Sequence, residues 1–207
     1  MRIIGCGTGR CGTMSLAKLI DGQDDWLCTH EMRPILPWKI DRVLARDRIK
    51  YFNDHDRVAD VASYYLPYVE MMFEEIDDLK VICLERDEDK VVRSFINKVA
   101  NTDPSRNHWT DHDGEVWTKD PIWDQAFPNY EIDLDTGVAE IKEELIRRYW
   151  NEYHEQSIWL SKHYIDFEVF GIDSLNSKQG QQNIFDFLEI EAPNFNVGVK
   201  ENKLVTK

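Results

Sequence analysis

A glycine-rich segment near the start of the chain constrains the fold more than any other feature. Residues 2–6 have the pattern of a short buried strand, residues 7–13 contain three glycines, and Met14 to Ile20 can continue as a helix. In such a loop the glycines let successive backbone N–H groups converge on an anion at a helix N-terminus. The order of strand, glycine loop and helix therefore predicts a phosphate- or sulfate-binding turn at the edge of a sheet.

The residues within this loop distinguish it from the nucleotide-hydrolase type. Gly7 and Gly12 have the spacing of a phosphate loop, but that type would place Lys directly after the last Gly, followed by Ser or Thr to hold magnesium. Thr13 and Met14 occupy these positions. Arg10, inside the loop, offers a permanent forked cation suited to phosphate or sulfate oxygens. A plain strand-to-helix turn is the alternative interpretation.

Strand and helix patterns alternate along the rest of the chain. Residues 80–84 form a compact apolar run typical of a central parallel strand, and the helix that follows has one apolar face. The other predicted strands are 26–29, 57–62 and 167–170, and the other predicted helices are 37–50, 63–76, 137–163 and 175–188. This alternation predicts an α/β three-layer sandwich with a central parallel sheet flanked by helices. Residues 1–207 are expected to form one domain with a loop insertion at about 101–136.

Composition excludes several functional classes. The chain has 25 Lys and Arg against 39 Asp and Glu, and a net charge of −14 argues against a nucleic-acid partner. No stretch approaches the ~20 apolar residues of a membrane span, and residues 1–20 do not resemble a cleavable signal. The four cysteines form no CxxC pair, which indicates reduced thiols. A cytoplasmic protein with no membrane partner is expected, and its oligomeric state stays open.

A second cationic position follows the apolar run at 80–84. Arg86 lies at the end of that predicted strand, and Ser94 falls eight residues later, inside the next predicted helix. In an open parallel sheet the carboxyl ends of the strands mark the ligand crevice, so Arg86 points toward the same edge as the glycine loop. The sequence thus predicts two anion sites on one rim.

Both segments resemble signatures of one enzyme family. Gly-Thr-Gly-Arg-Cys-Gly-Thr-Met-Ser-Leu at 7–16 resembles the phosphosulfate loop of the sulfotransferases that use 3′-phosphoadenosine 5′-phosphosulfate (PAPS). Leu-Glu-Arg-Asp-Glu-Asp-Lys-Val-Val-Arg-Ser-Phe at 84–95 is similar to the family signature Arg-Asp-Pro-x5-Ser, and 170–190 resembles its late strand and helix. Glu88 replaces the usual Pro, Glu189 replaces a Gly, and the C-terminal Arg-Lys-Gly of many cytosolic members is absent.

The resemblance implies a fold, a donor and a reaction. A sulfuryl group would pass in line from PAPS to a hydroxyl or amine of an acceptor, with a carbohydrate or small metabolite favoured and no metal required. Arg10 and the backbone N–H groups would stabilise the charge that develops on the leaving phosphate. By resemblance, the 5′-phosphosulfate is held by Gly9, Arg10, Cys11, Gly12, Thr13 and Met14, and the 3′-phosphate by Arg86 and Ser94.

A general base is expected beside the sulfur, because the acceptor must lose a proton. Glu31 is the first candidate, since it lies just past the second predicted strand, where carbohydrate sulfotransferases of the resembling family often carry a catalytic Glu. His30 beside it is the second candidate. Asp60, near the end of the third predicted strand, and His108 or His112 in the long loop are further candidates.

The segment 101–136 holds nine acidic and two basic side chains and lacks clear periodicity. Its Trp109, Trp117 and Trp123 either line an acceptor pocket or pack in the core. The excess of acid favours neutral or cationic acceptors. The segment also contains metal-ligating side chains whose spacing favours a solvated acidic loop over a metal site: His108, Asp111, His112 and Asp113.

Two other functions remain open from the sequence. A nucleotide kinase or hydrolase of the phosphate-loop type is disfavoured because Lys is absent after Gly12 and because Asp60 is only an approximate magnesium ligand. A nucleotide-binding protein of the same fold without turnover is the other alternative.

Overall fold

Within the residues that the structure describes, five parallel strands form the sheet at the centre of the protein. The structure, a computed structural model, describes residues 1–100, 106–110, 118–132, 138–191 and 193–197. Every pairing in the sheet is parallel, and the strand order is β2-β3-β1-β4-β5. The strands are β1 (Arg2–Gly7), β2 (Leu27–His30), β3 (Val58–Val61), β4 (Leu79–Glu85) and β5 (Phe167–Gly171).

Helices cover both faces of this sheet. They are α1 (Thr13–Asp21), α2 (Arg42–Asn53), α3 (Val69–Glu75), α4 (Glu88–Ala100), α5 (Val138–His163) and α6 (Lys178–Phe187), with short 3-10 helices at Ser63–Tyr68, Asp124–Ala126 and Ile172–Asn176. Among these helices, in the ranges that the structure describes, none has both the length and the apolar composition that a bilayer crossing requires.

Alternating side chains of the strands divide the interior into two cores. Ile3 packs with α1 and α6 on one face, and Ile4 packs with α2, α3, α4 and α5 on the other. Successive residues of a strand point to opposite faces, so a buried parallel strand needs apolar residues at every position. The predicted three-layer α/β fold with a parallel sheet is confirmed.

Local capping accounts for the helix boundaries that differ from the predictions. The predicted helix at 37–50 begins only at Arg42, because the Asp41 carboxylate accepts the Val43 N–H at 2.9 Å and so caps that end. The helix predicted at 63–76 contains Pro67 and divides into a 3-10 helix and α3. The helix predicted at 175–188 divides at Ser177, whose hydroxyl caps α6.

The strand order places the two predicted anion sites side by side. After β1 the chain continues to β2 on one side of β1, and β4 lies on the other side of β1. The topological switch point is therefore between β1 and β4. Gly7 at the end of β1 pairs with Leu84 near the end of β4. Ligands of open α/β sheets bind at such a point, beyond the carboxyl ends of the strands. The glycine loop begins at the end of β1 and Arg86 comes directly after β4, so both lie at this point.

Two glycines offer a matched test of the packing between α6 and the preceding turn. A Cβ atom at Gly180 would lie 2.4 Å from the Ser174 carbonyl oxygen, whereas a Cβ at Gly171 would meet no atom of the described residues within 4 Å. We expect Gly180→Ala to lower the free energy of unfolding by about 1–3 kcal/mol through overpacking. Gly171 has φ of −64°, so Gly171→Ala should change it by less than about 1 kcal/mol. Urea denaturation measures both, and equal effects would contradict this packing.

Candidate functional site

The glycine loop after β1 has a backbone shape that only particular residues adopt. Gly7, Gly9, Arg10 and Gly12 have φ of 150°, 78°, 57° and 96°, all in the region that favours glycine. At Gly7 a Cβ atom would also lie 2.4 Å from the Cys11 sulfur. The positive φ at Arg10 carries a conformational cost, which the surrounding loop must offset. The loop is therefore a specific turn and not a generic strand-to-helix connection.

Two tyrosines of α5 hold this loop from the buried side. The Tyr153 hydroxyl accepts a hydrogen bond from the Gly7 N–H at 2.8 Å and donates one to the Ser63 carbonyl at 3.0 Å. The Tyr149 hydroxyl donates to the Thr8 carbonyl at 3.1 Å. Both side chains are buried. Sequence reasoning missed this role, although the two tyrosines stand four residues apart on one apolar helix face.

The start of α1 presents backbone N–H groups to this loop. The first helical hydrogen bond of α1 runs from the Leu16 N–H to the Gly12 carbonyl at 3.0 Å. The N–H groups of Thr13, Met14 and Ser15 therefore have no acceptor within the helix. Gly12 provides no side-chain cap, and the first turn has no acidic residue. This end of α1 carries partial positive charge and suits an anion.

Cys11 contributes packing and backbone to the loop. Its side chain is fully buried, and burial raises the pKa of Cys11 to about 12. The thiol therefore stays protonated at neutral pH and is a poor nucleophile. Phe95 closes the other side of the loop, since a Cβ atom at Gly9 would lie 3.3 Å from its ring.

The predicted cations meet in one place beside the loop. The Arg10 Nε donates to the Ser94 hydroxyl at 3.0 Å, and the Arg86 guanidinium donates to the Arg10 carbonyl at 2.6 Å. The Trp150 indole N–H donates to the Arg86 carbonyl at 2.9 Å and so holds the end of β4. Burial, and then the charge of Arg86, lower the pKa of Arg10, which still stays protonated at neutral pH. The two predicted anion sites are thus contiguous.

His30 and Glu31, the first base candidates, lie at the other side of the loop. The His30 Nε2 is 3.1 Å from the Thr13 hydroxyl, and its Nδ1 is 3.6 Å from a carboxylate oxygen of Glu31. The Glu31 side chain is 35% exposed, so it keeps contact with solvent. His30 therefore contacts the first residue of α1, and Glu31 lies beside it.

Asp60, the third candidate base, is committed to the interior. Its carboxylate has no exposed surface and accepts hydrogen bonds from the Thr29 hydroxyl at 2.7 Å, the Tyr65 hydroxyl at 2.6 Å and the Met32 N–H at 3.2 Å. The Arg48 guanidinium lies 3.4 Å away. A carboxylate with four partners of this kind serves structure. This arrangement argues against Asp60 as a base and as a magnesium ligand.

The described part of the long segment packs onto the domain. The His108 Nδ1 lies 2.6 Å from an Asp124 carboxylate oxygen, its ring stacks on Phe127, and burial lowers the pKa of His108. Trp109 is fully buried and belongs to the core. Trp123 is half-buried, with the Arg33 guanidinium over its ring at 5.9 Å. These contacts favour a packing role for His108 and Trp109.

Several predicted residues of this segment lie outside the described residues: Asp111, His112, Asp113 and Trp117. Within the described ranges, no group of three or more His, Cys, Asp or Glu side chains is arranged to hold a metal ion.

Comparison with known proteins bears on the fold. No protein-family model and no curated protein sequence matches the chain. The structure is similar to that of a sulfotransferase from Alicyclobacillus acidocaldarius, with a TM-score of 0.53 over 96% of this chain and 85% of that one. The two proteins share a fold. Their sequences are 15% identical, so donor and acceptor have to be argued from the side chains of the site.

The support of the loop by α5 has a direct test. Tyr153→Phe removes the hydroxyl and leaves the Gly7 N–H and the Ser63 carbonyl buried without that partner. We expect it to lower the free energy of unfolding by about 1–3 kcal/mol. Tyr164, whose hydroxyl contacts Glu70 at 3.3 Å in an exposed position, is the matched control. In urea denaturation Tyr164→Phe should have little effect, and an equally small effect of Tyr153→Phe would disprove the supporting role.

Proposed function

We propose that the protein is a sulfotransferase that moves a sulfuryl group from PAPS to a hydroxyl or amine of an acceptor, most readily a carbohydrate or small metabolite. One observation carries the proposal. Arg10 of the glycine loop touches Ser94, and Arg86 touches the Arg10 carbonyl, so both resembling signatures contribute to one cationic site.

The charge of the donor fits this site. PAPS has anionic groups at both ends of a nucleoside, a phosphosulfate at the 5′ position and a phosphate at the 3′ position. The loop amides, the start of α1 and Arg10 suit the first group, and Arg86 with Ser94 suits the second. A ligand with a single anionic group would leave one of the two cations unused.

The proposed step conserves atoms and charge. The acceptor oxygen or nitrogen donates an electron pair to sulfur, and the bond from sulfur to the bridging phosphate oxygen breaks, with its electron pair moving to the phosphate. The acceptor proton passes to the base, and the products are a sulfated acceptor and adenosine 3′,5′-bisphosphate. Arg10 and the loop amides stabilise the charge that the leaving phosphate gains.

Glu31 is the base in this proposal, and His30 is its second candidate. Glu31 has a partly exposed side chain, and His30 contacts Thr13 in the first turn of α1. The short distance between the two side chains lets His30 orient the carboxylate or take its place.

The nucleotide kinase alternative has less support from the same residues. Thr13 stands where a phosphate-loop enzyme has its lysine, and its hydroxyl contacts His30. The carboxylate of Asp60 is already surrounded by Thr29, Tyr65 and Arg48. These residues offer no magnesium-nucleotide site of the usual kind.

Calorimetric titration tests the donor site. We expect wild-type protein to bind adenosine 3′,5′-bisphosphate and to ignore magnesium ATP. Arg10→Ala and Arg86→Ala should each weaken bisphosphate binding about 10- to 100-fold, because each removes charge-assisted hydrogen bonds. Arg57→Ala is the control, since Arg57 forms an exposed ion pair with Asp25. Tight magnesium ATP binding without a bisphosphate response would refute the proposal in favour of the kinase alternative.

Turnover tests the base. With labelled PAPS and an acceptor found by screening neutral sugars and amines, Glu31→Gln should lower kcat about 100-fold or more and leave bisphosphate affinity unchanged. An unchanged kcat would transfer the role to His30, which His30→Asn then tests. Bisphosphate binding by the wild type with no transfer to any acceptor would favour the non-catalytic alternative.

A further inference from the structure

A third cation, Lys98, lies on the same helix face as Ser94. Both belong to α4, and residues four apart on a helix are neighbours on its surface. The Ser94 hydroxyl is 3.0 Å from the Arg10 Nε, so this face of α4 is directed at the glycine loop. Lys98 is one turn further along that face and keeps solvent-exposed surface.

Among the described residues, Lys98 interacts both with a cation assigned to the donor and with the candidate base. Its ammonium interacts electrostatically with Arg10 of the loop and with Glu31 after β2, and also with Arg106 and Asp120. Arg106 and Asp120 form an ion pair with each other at 3.1 Å, so their charges largely cancel. Lys98 therefore lies within electrostatic range of both the cation for the leaving phosphate and the candidate base.

This position matches the transferring group. In the proposed function, the loop with Arg10 binds the 5′-phosphate and Arg86 with Ser94 binds the 3′-phosphate, and Lys98 adds a third cation beside these groups. The sulfuryl group has to lie between the leaving phosphate oxygen near Arg10 and the acceptor activated by Glu31. We propose that Lys98 binds the oxygens of the sulfuryl group and is a catalytic residue of the transfer, an inference that rests on the proposed function.

The chemistry gives this cation a defined task. While the bond from sulfur to the phosphate oxygen breaks and the bond to the acceptor forms, the three outer sulfuryl oxygens retain negative charge. A fixed ammonium beside them stabilises that charge and orients the sulfur for in-line attack. It also reduces the repulsion between these oxygens and the approaching carboxylate of Glu31.

The charge of Lys98 is sensitive to alkaline pH. Burial, with the positive charges of Arg10 and Arg106, lowers the pKa of Lys98, and the negative charges of Glu31 and Asp120 oppose this only in part. Its ammonium loses the proton as pH rises through this lowered pKa, at a lower pH than an ordinary lysine does. Contacts to the sulfuryl group that depend on Lys98 should weaken over the same range.

The test compares two nucleotides that differ only in the sulfuryl group, PAPS and adenosine 3′,5′-bisphosphate, so it needs no acceptor. Calorimetric titration should show that Lys98→Ala weakens PAPS binding about 10-fold or more, while bisphosphate binding changes less than about 3-fold. Lys162→Ala is the control, because Lys162 is exposed in the last turn of α5. Retained bisphosphate binding also shows that the variant is folded.

A second arm separates a charge contact from a structural role. Lys98→Arg keeps a cation, and the pKa of arginine is far higher than that of lysine. The preference of this variant for PAPS over bisphosphate should therefore persist at alkaline pH, where the preference of the wild-type protein declines. If Lys98→Ala loses affinity for both nucleotides equally, or keeps the wild-type preference for PAPS, the inference is overturned and the proposed function still stands. Failure of wild-type protein to bind either nucleotide would overturn the proposed function itself.

Discussion

One side of the site depends on the hydrogen bonds and the ion pair that the buried Asp60 carboxylate forms. Removing a carboxylate and the Arg48 guanidinium from water costs several kcal/mol each, and hydrogen bonds from Thr29, Met32 and Tyr65 offset that cost. Thr29 and Met32 flank the pair of candidate bases, so His30 and Glu31 project from a backbone anchored on both sides. Glu31 adopts φ of 60°, a strained conformation for a residue with a side chain, and this anchoring maintains it.

Much of the fold was accessible from the sequence because its signals are local. The apolar run before Gly7, the glycine spacing and the strand at 80–84 each depend on a few neighbouring residues. Arg10 and Arg86 could be predicted to share a rim because parallel strands align their carboxyl ends. Their direct contact could not, since it needs β1 and β4 to be neighbours, and strand order is set by packing over the whole sheet.

The remaining features depend on partners far apart in the sequence. Nothing near Asp60 indicates that Arg48 and Tyr65 will enclose its carboxylate, and nothing near His108 indicates that Asp124 will occupy its Nδ1. Trp109 illustrates the same limit, because an aromatic residue in a polar segment suits a pocket wall and a core equally well until its burial is known. The observed helix boundaries differ from the predicted ones for a simpler reason, since single capping residues such as Asp41 determine them.

The contact of Tyr149 and Tyr153 with the glycine loop has a consequence during protein synthesis. Every residue proposed to hold the donor nucleotide lies within the first 100 residues, but the hydroxyls that support the loop arrive only with α5. A nascent chain that has completed α4 contains every residue of the proposed nucleotide site and lacks the support for the shape of its loop. We therefore expect the proposed site to bind donor only after α5 has been synthesised. A nucleotide bound at the proposed site would stabilise the docking of α5 by mass action.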